Sequence, residues 1–119
     1  MSDKVEINNL YIEQLIVLIQ KNDSSKLIKI ITKLHTADVA EIIESLSTEH
    51  AKYFYKLITN EEDSAAVLIE LEDNTRENLL RDLSAKKIAE EVIENLATDD
   101  AADLIGELSK DKKLSLIHI

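Results

Sequence analysis

Cysteine and proline are both missing from this 119-residue sequence, and glycine occurs once, at Gly106. Aromatic side chains are confined to Tyr11, Tyr53, Phe54 and Tyr55. Each absence removes a class of structure. Without cysteine there is no disulfide, no thiolate metal site and no cysteine nucleophile. A sheet protein of this length needs many tight turns, and those draw on glycine and proline. Helices joined by short Ser, Thr, Asn or Asp links need neither, so the expected fold class is all-α. Long hydrophobic runs are also missing. The longest are five residues, Leu15 to Ile19 and Ala65 to Ile69, where a membrane span needs about 20. No basic stretch followed by an apolar one opens the chain, so no secretory signal is expected. Positive charge is scarce: 14 Lys and Arg stand against 24 Asp and Glu, a net charge of −10. That field disfavours nucleic acid and anionic membrane as partners and favours cations or basic protein surfaces.

What is present is helical periodicity almost throughout. A first helix is expected from about Val5 to Gln20, with Ile7, Leu10, Tyr11, Leu15, Leu18 and Ile19 as its apolar stripe. Asn22-Asp23-Ser24 breaks it, and Ser24 or Ser25 can cap a second helix carrying Leu27, Ile28, Ile31 and Leu34. Thr36 is the expected N-cap of a third, with Val39, Ala40, Ile42, Ile43 and Leu46 inward and Asp38 in the first turn, where the helix dipole favours an anion. Further helices are expected to open at Ser47-Thr48, Asn60, Asn74-Thr75, Ser84 and Thr98.

These helices are near-copies. Leu34-His-Thr-Ala-Asp-Val-Ala-Glu-Ile-Ile-Glu-Ser-Leu46 aligns with Leu83-Ser-Ala-Lys-Lys-Ile-Ala-Glu-Glu-Val-Ile-Glu-Asn-Leu96 with one inserted residue. Ala65-Ala-Val-Leu-Ile-Glu-Leu71 matches Ala102-Asp-Leu-Ile-Gly-Glu-Leu108, and Leu46, Leu71 and Leu96 recur every 25 positions. A hairpin this small cannot bury its own stripe, so stacked neighbours share a core. The expectation is a superhelical, armadillo-like solenoid of short helix hairpins over residues 24–109, with residues 1–23 as an N-terminal capping helix. Residues 110–119 are expected to be a disordered tail. Leu114-Ser-Leu-Ile-His-Ile119 resembles the translation of a sequencing adapter, which implies a natural protein that continues past about Lys113.

The sharpest acidic cluster is Asp99-Asp100 with Asp103. Asp99 and Asp103 are four residues apart and share a helix face, with Asp100 about 100° away. A divalent cation bridging Asp99 and Asp103 to another surface would relieve their repulsion, and hard oxygen ligands suit Mg²⁺, which keeps most of its water. The commoner outcome for such a cluster is a solvated, dipole-stabilised helix N-terminus, and both readings stand at this point. Glu61-Glu62-Asp63, Glu70, Glu72 and Asp73 read as solvated faces. His35, His50 and His118 are scattered, so zinc is not expected, and His35 suits an interhelical hydrogen bond. Phe54 is expected in the core with one neighbouring Tyr partly exposed. No phosphate loop, nucleophile elbow or convergent Ser, His and acid is present, so no enzyme is expected.

The Leu34–Leu46 phrase, followed by Ala97-Thr-Asp-Asp-Ala-Ala-Asp-Leu-Ile-Gly-Glu-Leu108, resembles the N-terminal domain of MgtE-type magnesium transporters over roughly residues 7–109. The resemblance implies a Mg²⁺-sensing regulatory domain on the cytoplasmic side of the bacterial inner membrane. It would dock on CBS domains and a plug helix when Mg²⁺ is plentiful, within a homodimeric transporter. It also implies Asp99 and Asp103 as metal ligands, with Asp100 next. The alternative is a protein–protein adaptor resembling the helical repeats of the flagellar rotor protein FliG, whose Glu-His-Pro-Gln phrase this proline-free chain lacks.

Overall fold

The computed structural model describes residues 6–108, and all its regular elements are helical. They are α1 (Asn9–Gln20), α2 (Ser24–Lys33), α3 (Thr36–Ser45), α4 (Thr48–Lys56), α5 (Glu61–Glu70), α6 (Asp73–Asp82), α7 (Ala85–Ile88) and α8 (Thr98–Gly106). α7 runs directly into a π-helical turn, Ala89–Ile93. The fold is all-α. The expected tail at residues 110–119 lies outside the described residues.

Leucine sets the helix ends. Leu34, Leu46, Leu71 and Leu83 each terminate a helix in extended backbone, with ψ of 152°, 158°, 154° and 142°. The following residues, His35, Ser47, Glu72 and Ser84, are extended as well and become the next N-caps. Two extended residues reverse the chain without a positive φ, which is why neither glycine nor proline is needed at these links.

At α6 this rule overrides cap chemistry. Ser47, Asn60 and Ser84 do cap as expected, accepting from the N–H groups of His50, Asp63 and Lys87 at 3.3, 3.0 and 3.1 Å. Thr36, Asn74-Thr75 and Thr98 do not: the N-caps of α3, α6 and α8 fall instead on His35, Glu72 and Ala97, each one residue past a leucine and none making a side-chain capping bond. A good cap contributes about 0.5–2 kcal/mol, whereas burying a leucine as Leu71 is buried contributes about 1.5–3 kcal/mol, so at the start of α6 leucine placement wins. At the first link Asp23, not Ser24 or Ser25, is the cap. Asn22 takes the left-handed conformation (φ 56°) just past α1, and the bonds Asn22 N–H to Ile19 and Asp23 N–H to Leu18 close a Schellman turn.

The chain divides into two compact units, residues 1–59 and 60–119. In the first, α1 packs on α2 and α4, and α3 packs on α4. Its core joins Ile12, Leu15 and Ile19 to Leu27, Ile31, Val39, Ile42, Ile43, Phe54 and Tyr55, all buried. Phe54 is fully inside and Tyr53 half-buried, as expected. The α1 stripe is shifted: Ile12 replaces Leu10, which is 63% exposed. In the second unit α5 and α8 both pack on the π-turn, around Val67, Leu68, Leu79, Leu80, Ile88, Val92 and Leu104.

The inserted residue of the second copy is absorbed by that π-turn. Glu94 N–H reaches the Ala89 carbonyl, five residues back, at 3.3 Å, and the Asn95 side-chain amide donates to the Glu90 carbonyl at 2.6 Å.

Replacing a fully buried leucine leaves a cavity, so Leu68→Ala should cost about 2–5 kcal/mol, while Leu10→Ala should stay within about 0.5 kcal/mol. Urea midpoints of the two variants measure this, and equal losses would contradict the assigned core.

Candidate functional site

The last helix carries the acidic face. α8 has no side-chain cap at Ala97, so its first N–H groups meet the negative charges of Asp99 and Asp100 instead. Ala101, Leu104 and Leu108 are buried and turn one side of α8 inward. Asp99 and Asp103 lie on the opposite side, exposed, and Asp100 is half-buried on the flank. A step of four residues overshoots one helical turn by only about 40°, so the two outer carboxylates point the same way. Gly106 shares that outward side, and a Cβ there would meet nothing within 4 Å. Among the described residues no three His, Asp or Glu side chains converge into a cage for a metal ion. What α8 offers is a pair of carboxylates on an open face, a donor set that suits a hydrated Mg²⁺ taking one or two protein oxygens.

Behind this face stands a residue that periodicity does not single out. Arg76, in the first turn of α6, is buried. Its Nε donates to the Leu68 carbonyl at 2.8 Å, and Nη2 donates to those of Leu71 and Ile69 at 2.6 and 3.3 Å. These carbonyls belong to the end of α5, where that of Leu68 also accepts from the Leu71 N–H at 3.3 Å and no further helical turn follows to supply donors to Ile69 and Leu71. Nη1 bonds both oxygens of Glu107, at 3.1 and 2.9 Å, and Asp73 at 3.1 Å. The guanidinium therefore caps α5 and holds Glu107, the residue just past the end of α8. Its sequence signal was faint: Arg76 is one of only two arginines in a chain whose other basic residues are lysines, and only arginine offers five donors in one plane.

The other acidic runs behave as solvated faces. Glu61, Glu62 and Asp63 are exposed in the first turn of α5. His35 departs from expectation: it is exposed at the start of α3 and makes no capping bond. Its place after Leu34 puts it in the extended link, pointing away from the packed faces.

In the first unit, the Tyr11 phenol is held above its ordinary pKa of 10.0, first by burial and then by the negative charge of Asp38. An acid that keeps its proton longer in the folded chain stabilises fully below its unfolded pKa, and that contribution is lost as pH rises through the folded value. Unfolding free energy should therefore fall above about pH 10, and Tyr11→Phe should flatten that fall. Matching alkaline slopes for the two proteins would refute it.

Residues 34–118 match the model of the MgtE intracellular N domain, the regulatory N-terminal domain of MgtE magnesium transporters. The match spans more than half of the chain, begins at the leucine that closes α2, and includes α8. No match is found among curated proteins. No helix among the described residues is long and apolar enough to cross a membrane.

Removing Arg76 strands the carbonyls of Ile69 and Leu71 and takes one of two donors from that of Leu68. Arg76→Met should cost about 2–6 kcal/mol, whereas Asp73→Asn, at a carboxylate open to water, should cost under about 1 kcal/mol. Denaturant titration separates them, and a mild Arg76→Met would show that the clasp is dispensable.

Proposed function

The chain belongs to the family of MgtE intracellular N domains, and on that premise we propose that it is a cytosolic Mg²⁺ sensor that regulates a magnesium transporter. The observation that carries the site is the common outward direction of Asp99 and Asp103 on α8, opposite its buried Ala101 and Leu104. With Asp100 on the flank, this face concentrates negative charge on a chain already at −10.

Two such carboxylates fill two of the six positions of an octahedral hydrated ion, with water and the facing surface taking the rest. The CBS domains and plug helix of the same transporter are the partners that complete it. Bound Mg²⁺ supplies the positive charge that lets two acidic surfaces meet. Asp99 and Asp103 present their oxygens to that interface, and the open position beside Gly106 leaves room for a close approach. At low Mg²⁺ the same carboxylates repel the facing acids, and the domain leaves its docked position. Ion concentration is thereby coupled to docking, because the ion binds the docked state more tightly. The transporter acts as a homodimer in the bacterial inner membrane, with this domain on the cytoplasmic side. The reading is regulatory and not catalytic.

Magnesium titration of the chain, followed by amide NMR against sodium at matched ionic strength, tests the site. Shifts should concentrate at Asp99 to Asp103 and vanish in the Asp99→Asn/Asp103→Asn variant. Shifts spread evenly over the acidic surface, or unchanged in that variant, would move the site elsewhere and favour the adaptor reading.

A further inference from the structure

The π-turn gathers three locally unfavourable choices within five residues. Glu91 is buried at 1% exposure, Ile93 is 51% exposed, and the helical hydrogen bonds step out to the fifth residue. Departures from local rules that cluster in this way mark strained or functional elements, and π-turns are frequent at such places.

The internal repeat explains what the strain encodes. Aligned from its first leucine, Leu83 on Leu34, the second copy places Ile88, Glu91 and Val92 on Val39, Ile42 and Ile43, all three buried. Aligned from its last leucine, Leu96 on Leu46, it places Val92 and Ile93 on Ile42 and Ile43, and Glu91 on the exposed Glu41. The extra residue can therefore be absorbed late, as seen, or early. The late position is held by the ion pair of Glu91 with Lys87 at 3.3 Å and by the Asn95 amide on the Glu90 carbonyl. The early position would bury an isoleucine in place of a carboxylate.

We propose that residues 89–95 form a register switch, in which the π-turn migrates toward α7 and exchanges buried Glu91 for Ile93. Leu96 closes the helix in both registers, so the exchange stays local. Because α5 and α8 both pack on this turn, the swap repacks the inner side of the helix that carries Asp99 and Asp103. The switch is independent of whether α8 binds a cation.

Relaxation-dispersion NMR of the chain tests this through backbone amides 89–96 and isoleucine methyls. Exchange should be confined to this segment and the faces of α5 and α8 against it. Ile93→Ala alters a side chain exposed in the observed register, so the fold is retained. It should lower the minor-state population at least about tenfold, because only the early register buries that side chain. Glu91→Leu should do the same by favouring the observed register. Flat profiles in the parent chain, or exchange that persists undiminished in Ile93→Ala, as fraying would give, overturn the proposal.

Discussion

The second unit depends on one guanidinium. α5 ends at an extended leucine, whose N–H reaches the Leu68 carbonyl but leaves those of Ile69 and Leu71 beyond the last helical turn. Arg76 arrives from the next helix with its donors in a plane, takes three of those carbonyls, and closes on Glu107 past the end of α8. A cation at the C-terminal end of α5 also has the sign that the helix dipole favours there. The acidic face of α8 is thus held from behind by a buried guanidinium.

The first unit contains no arginine and is held by apolar packing. Phe54, Leu15, Leu27, Ile42 and Ile43 are all but fully buried. α2 and α3 end at extended leucines, α1 at the Asn22 Schellman turn, and α4 at Leu57 in helical backbone with ψ of −5°. Apolar burial is non-directional, so it tolerates weak caps such as His35.

Much of this was legible in the sequence because it follows from period and composition. Val39, Ala40, Ile42 and Ile43 fall inward on a 3.6-residue repeat, and so do Leu27 and Ile31. The shared face of Asp99 and Asp103 follows from a four-residue spacing. Arg76 and Glu91 were not legible, since a charged residue reads as surface until the carbonyls or the lysine that pair with it are located in space. The caps misled for a related reason. Thr36 and Thr98 have the right chemistry, but the cap position falls one residue earlier, on His35 and Ala97. Leu10 lies five residues before Leu15 and so about 140° around the helix from it, while Ile12, Leu15 and Ile19 share the inward side.

The leucine links also bear on time. Neighbouring helices joined by two residues make contacts that are short in sequence, and such topologies reach their folded state quickly. A chain without proline has no X–Pro bond to isomerise, so nothing on the scale of tens of seconds delays it. A unit built this way can open and re-form many times within the life of one signal. For a regulatory domain, rapid recovery after each excursion matters as much as the depth of the folded well.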